Sequence, residues 1–228
     1  MARRSSAERD ETRLALKRAA RRLFAERGVD GVAVREIVEA AGQRNSGALH
    51  YYFNSKDELV RELVLDGAKL IDDARQAMLN EMEARGGPAS VRELVYALVT
   101  PNFALNGESG EQETYLRFIM ALQTNHRQLF RDILEVRWAQ GYQRCLEHLR
   151  RLLAPMPAEL INQRLVFMGL SLQAILASRE GALDANGDRP HPFWHAPYMV
   201  ESIVDSLQAL LESEPSPALA AAMGGSVG

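Results

Sequence analysis

The four residues Ser55-Lys56-Asp57-Glu58 constrain this chain more than any others. They spell a capping box, in which a serine hydroxyl accepts from the backbone three residues on and the glutamate reaches back. The helix they open meets no proline and no glycine pair until Gly86-Gly87-Pro88. Thirty helical residues span roughly 45 Å. A helix of that length must begin in one unit and end in another, so it links the two mechanically. The predicted division is a head over residues 1–54, a body over 55–214 and a tail over 215–228. The tail is small residues and glycine and is expected to be disordered.

The remaining sequence also reads as helices. In the head, Ser5 and Glu8 fit a second capping box, and Leu16, Ala19, Ala20, Leu23 and Phe24 make an i, i+3, i+4 stripe closed by Gly28. A short pattern of Val34, Ile37, Val38 and Ala41 ends at Gly42, and a third segment runs from Ser46 to Phe53. The body is predicted to hold helices at about 89–105, 111–124, 126–154, 158–182 and 197–213. No alternating run rich in Val, Ile and Thr appears, so no sheet is expected. The fold class is all-α: a three-helix head joined by a long fourth helix to a helical body.

Charge separates the two units. Residues 1–56 hold 12 Lys/Arg against 7 Asp/Glu, while the remainder holds 15 against 23. A basic head on an acidic body points to a head that meets a polyanion. The single cysteine, Cys145, excludes a disulfide scaffold. The N-terminal residues have no apolar run behind their charges, and the longest uncharged stretches, at 94–107 and 165–178, are 14 residues each. Those are too short to span a bilayer, so a cytoplasmic protein with no membrane partner is expected.

Residues 34–53 carry the functional signal: helix, small residues, glycine, short turn, second helix. This is the grammar of a helix-turn-helix. Ala40 and Ala41 allow close approach, Gly42 ends the first helix, and Asn45 or Ser46 caps the second. Leu49 and Phe53 point inward on the second helix, leaving Ser46, Gly47, His50 and Tyr51 outside. A helix placed in the major groove reads base edges from such N-terminal residues. Arg44 and His50 are candidates to donate to base acceptors, and Gly47 permits close backbone approach. Tyr51 and Lys56 are candidates for phosphate contacts, with Asn45 and Tyr52 completing the set. Of the two tyrosines, Tyr52 is expected to lean toward the core.

These residues also resemble a known family. Leu23-Phe24-Ala25-Glu26-Arg27-Gly28, Val34-Arg35-Glu36-Ile37, Ala41-Gly42, Gly47-Ala48-Leu49-His50-Tyr51-Tyr52-Phe53 and Ser55-Lys56-Asp57-Glu58-Leu59 look like the DNA-binding head of the tetracycline-repressor (TetR) family. Here the turn is one residue longer than is usual in the family, Ala33 stands where threonine is favoured, and His50 replaces the usual first tyrosine. The resemblance implies a transcriptional regulator, most simply a repressor, that binds a palindromic double-stranded DNA operator as a homodimer. It also implies a small-molecule effector held in the body. The dimer would form through the last two long helices, with Leu165, Met168, Leu172 and Ile175 on one and Val200, Ile203, Val204 and Leu207 on the other.

For a mainly apolar effector, the candidate wall residues are Met82, Phe103, Phe118, Phe130, Trp138, Tyr142 and Phe167, with Gln123, His126 and Gln173 as polar partners. Such side chains also fill ordinary cores. An effector-independent DNA-binding protein and, further off, an enzyme are the alternatives. No nucleophile elbow, phosphate loop or zinc-protease motif is present. His191 and His195 make a weak metal pattern and Cys145 has no convincing base, so neither metal, cofactor nor catalytic residue is expected.

Overall fold

The computed structural model describes residues 6–45, 47–105, 114–134, 139–187 and 189–224. Among them every regular element is a helix. The head holds α1 (Ser6–Arg27), α2 (Val34–Ala40) and α3 (Ala48–Phe53). The linking helix α4 runs Lys56–Ala84, and the Ser55 hydroxyl accepts from the Glu58 backbone at 3.1 Å, as the capping box requires. The body adds α5 (Val91–Val99), α6 (Tyr115–Asn125), α7 (Arg127–Leu134), α8 (Gln140–Leu152), α9 (Ala158–Asn186) and α10 (Met199–Glu212). Ser5, with its predicted cap, lies outside the described residues.

Three differences from the expected elements matter most. The helix expected at 89–105 stops at Val99 and continues as a 3-10 turn over Thr100–Leu105. Pro101 has no N–H to give to Ala97, so the α-helical ladder ends there. The helix expected at 126–154 is two helices, α7 and α8. Gly141 in the first turn of α8 is pressed on α4, where its N–H donates to Asp72 at 2.9 Å. A Cβ there would stand 2.9 Å from the Asp72 carboxylate. The expectation of a disordered tail is corrected over Pro217–Gly224, which forms α11, an alanine-rich helix without a buried residue.

Two buried clusters organise the chain. One belongs to the head but does not end there: Leu16 and Phe24 of α1, Leu49 of α3 and Leu63 of α4 join Phe118 and Leu122 of α6. The Phe24 and Phe118 rings stack at 5.9 Å. The other cluster fills the body between the second half of α4, α5, α8, α9 and α10.

That second cluster corrects the expected dimer stripe. Leu165, Met168 and Leu172 of α9, with Ile203, Val204 and Leu207 of α10, are buried in the chain's own core. Ile175 and Val200 are half-buried against it. The apolar side chains that α9 leaves outside are Val166, Phe167 and Leu170, each more than half exposed. By length and composition α9 is apolar enough to cross a membrane. Its core-facing side, with Arg164, Arg179 and Glu180 also buried, makes it the central helix of a packed body.

The contact between α4 and α6 depends on Gly67. A Cβ at this position would lie 2.3 Å from the Tyr115 ring, whose hydroxyl donates to the Val64 carbonyl at 2.8 Å. Gly67→Ala is expected to displace that ring and to cost about 1–3 kcal/mol, the usual cost of overpacking. Urea denaturation of the two proteins measures it. An unchanged midpoint would mean that the ring moves aside freely.

Candidate nucleic-acid interface and body cavity

The helix-turn-helix is built by backbone chemistry at its two ends. Gly42 takes a positive φ of 68° and closes α2. Its N–H donates to Glu39 O and the Gln43 N–H to Val38 O, each at 3.0 Å, the paired bonds of a Schellman ending. The turn then places Asn45, whose side-chain oxygen accepts from the Gly47 N–H at 2.9 Å. Gly47 is the N-cap of α3. Ala48, Leu49 and Phe53 are buried, which turns His50 and Tyr51 outward.

Arg44, Asn45, Gly47, His50 and Tyr51 are therefore all exposed along the turn and the outer side of α3, with Tyr51 at 70%. Tyr52 is half-buried against the head core and meets Tyr51 edge-on at 4.9 Å. Lys56 is less free than expected: its ammonium donates to the Val32 carbonyl at 2.7 Å and sits 5.7 Å from the Phe24 ring centre. Ser46 lies outside the described residues.

Ala33 caps α2 without a side-chain acceptor. Glu36 supplies the other half of a capping box, accepting from the Ala33 N–H at 2.7 Å and from Arg27 at 2.8 Å. The Arg27 bond first, then the Ala33 N–H, hold its carboxyl below the ordinary carboxylate range. A lowered folded-state pKa stabilises the protein above the unfolded value, about 4.3, and the contribution fades as pH falls through the folded value. Thermal melting of Glu36→Gln against the parent is expected to show a deficit at pH 7 that closes below about pH 4. A deficit constant with pH would exclude the charge as its source.

A cavity of about 410 Å³ opens in the body between α4, α6, α7, α8 and α9. Four of the expected wall residues line it: Gln123, Phe130, Tyr142 and Gln173. The others lie elsewhere. Met82 is buried in the body core. Phe103 sits beneath the Arg179 guanidinium at 4.9 Å. Phe118 faces the head, and His126 meets Asp30 there at 3.2 Å. Phe167 is on the outer face of α9. Trp138 lies outside the described residues. Sequence reasoning missed Arg75 and Gln143 in the wall. Arg75 had a signal: it interrupts the stripe of Val64, Ala68, Ile71, Leu79 and Met82, a charge at a core position of α4.

The groups that had pointed faintly to catalysis are structural. Cys145 is fully buried, and burial pushes its thiol up to about 11, far from a nucleophilic thiolate. His148 bonds Glu83 at 2.8 Å. His191 Nδ1 accepts from the Phe193 and Trp194 backbones, and His195 Nδ1 from the His191 backbone, so these two rings close a turn.

Asn45 braces the turn and does not cap α3 as expected, since the N-cap Gly47 has no side chain to accept. A short helix with an exposed outer side, presented by a Schellman-closed partner on a basic head, defines a helix-turn-helix DNA-binding protein. Residues 16–63 match the family described as bacterial regulatory proteins, tetR family, and residues 96–212 match the tetracyclin repressor-like C-terminal domain. The second match alone covers more than half of the chain, and the chain belongs to the TetR family of transcriptional regulators. Over 64 residues it is 42% identical to two proteins of Pseudomonas putida, the HTH-type transcriptional regulator TtgR and the probable HTH-type transcriptional regulator ArpR. Those matches cover 28% of this chain and 30% of each relative. The TetR family transcriptional regulator PfmR from Thermus thermophilus shares the fold, with 16% identity, a TM-score of 0.50 and coverage of 88% of this chain and 99% of that one.

Proposed function

We propose that this regulator is a ligand-responsive repressor that binds a palindromic operator as a homodimer and is released from it by a small, mainly apolar effector. The observation that carries the reading is the position of α6. Tyr115, Ile119 and Gln123 wall the cavity, while Phe118 and Leu122 of the same helix pack into the head. A molecule in the cavity and the setting of the head thus share one helix. An effector with different affinity for two settings of α6 shifts the balance between them, and 1–3 kcal/mol of coupling changes operator affinity about 5–150-fold.

The exposed Val166, Phe167 and Leu170 on α9 support a dimer, since they form an apolar patch that a second copy would cover. Two heads about 34–36 Å apart would then read half-sites one helical turn apart. The proposed division of labour is residues 1–54 for DNA and 55–214 for effector and dimer. Such a protein works where the DNA is, in the cytoplasm.

Selection of bound sequences from a random duplex pool tests the reading. A palindrome with half-sites about one turn apart is expected, and enrichment of sites without dyad symmetry would overturn the dimer. On the selected operator, Tyr51→Phe and Lys56→Ala should weaken binding to all sequences alike. Arg44→Ala and His50→Ala should relax discrimination at particular base pairs by ~1–3 kcal/mol each. Equal effects of all four on specificity would refute the sorting of contacts.

A further inference from the structure

We propose that the cavity takes an acidic amphiphile, a molecule with an apolar body whose carboxylate or equivalent anion is received by Arg75. The inference rests on the cavity being the effector site. Arg75 occupies an inward position of α4, one turn after Ile71 and one before Leu79, and is 7% exposed. It is the one charged side chain among the described residues of the cavity wall.

The partners of its guanidinium are neutral. Nε donates to the Ala97 carbonyl at 3.1 Å and Nη2 to the Leu98 carbonyl at 3.4 Å, and the Tyr142 ring centre lies 5.8 Å away. Pro101 explains the first of these bonds, because the proline has no N–H to return to Ala97. Arg75 takes over the freed acceptor. Two of five N–H donors are thereby used. Among the described residues no carboxylate is ion-paired with it. Asp72, one turn earlier, acts on it through space only. The Asp72 oxygens are turned to the Gly141 N–H, at 2.9 Å, and to the Gln76 amide, at 2.7 Å.

A buried charge with only neutral acceptors is costly to hold. Burial accordingly pulls the Arg75 pKa below the ordinary arginine value. A carboxylate brought by a ligand would meet the unused donors in a fork geometry that suits it. The rest of the wall is mostly apolar, with Ile71, Ile119, Phe130 and Leu172, and the amides of Gln123 and Gln173 offer further donors. The cavity is of a size that holds a small organic molecule.

Calorimetric titration of the full chain with two matched pairs tests this: octanoate against 1-octanol, and 2-naphthoate against 2-naphthalenemethanol, at neutral pH and 0.15 M salt. A charge-assisted bond exceeds a neutral one by enough to make the acid of at least one pair bind about tenfold tighter. In Arg75→Gln that ratio should fall below about threefold while the alcohol's affinity holds. Arg75→Lys should keep a reduced preference for the acid. The wild-type ratio decides the matter even if Arg75→Gln does not fold. Acid and alcohol binding equally, or the alcohol more tightly, would overturn the anion site and leave the cavity reading intact. A preference for the acid that both variants preserve would place the anion elsewhere and overturn it too. If none of the four probes binds at millimolar concentration, the effector-cavity reading falls, and this inference with it.

Discussion

Phe118→Ala is expected to cost roughly 3–5 kcal/mol of stability, the range for removing a fully buried aromatic ring. The residue has no exposed surface, stacks on Phe24 and meets Tyr115 at 6.5 Å. Its removal leaves a void where α6 joins the head, not in the wall of the cavity. Chemical denaturation should therefore show a large fall in midpoint. Phe118→Leu, which keeps most of the volume, should loosen the link without unfolding the chain. If the cavity holds the proposed effector, that variant should keep effector affinity while the effector's influence on operator affinity weakens. Stability within about 1 kcal/mol of the parent for Phe118→Ala would mean that α6 and the head are not packed as described.

Asp72→Ala is the second large effect, about 1–3 kcal/mol for each donor it orphans, the Gly141 N–H and the Gln76 amide. Asp72 is 1% exposed and receives the first-turn N–H of α8. Its loss orphans that donor and removes a negative charge that acts on Arg75 through space. Asp72→Asn keeps an acceptor for Gly141 and loses only the charge, so it should fall between the parent and alanine. If asparagine costs as much as alanine, the charge is the whole contribution. If it costs nothing, the hydrogen bond is.

What could be read from the sequence divides along physical lines. Ser55, Gly42 and the Gly86-Gly87-Pro88 stop act on their own backbone neighbourhood, so their effects were visible in the chain itself. The outward set on α3 followed from Leu49 and Phe53 being the only apolar pair at helical spacing in a short helix. The α9 stripe failed for the opposite reason. That helix is apolar on more than one side, and periodicity alone cannot say which side meets the protomer and which a second copy. Leu165, Met168 and Leu172 were a sound stripe turned to the wrong neighbour. Phe118, His126 and Phe167 were misplaced similarly: their residue types suit a pocket, but the rotation of α6 and α9 about their axes is set by tertiary packing. Arg75 escaped notice because a charged residue is normally solvated, and only its position on the α4 stripe argued otherwise.

The Phe24–Phe118 stack has a further consequence for how this protein can be taken apart. A head cut after residue 54 would carry away the helix-turn-helix but leave behind the α6 surface that completes its core. Such a fragment would present Phe24 and its neighbours to water and would tend to self-associate instead of reading DNA. A hybrid regulator that puts this head on another sensor must carry α6 as well, or supply a helix of matching shape. The reading unit is thus stitched from two stretches of chain about sixty residues apart, and exchange between relatives is free only where both stretches travel together.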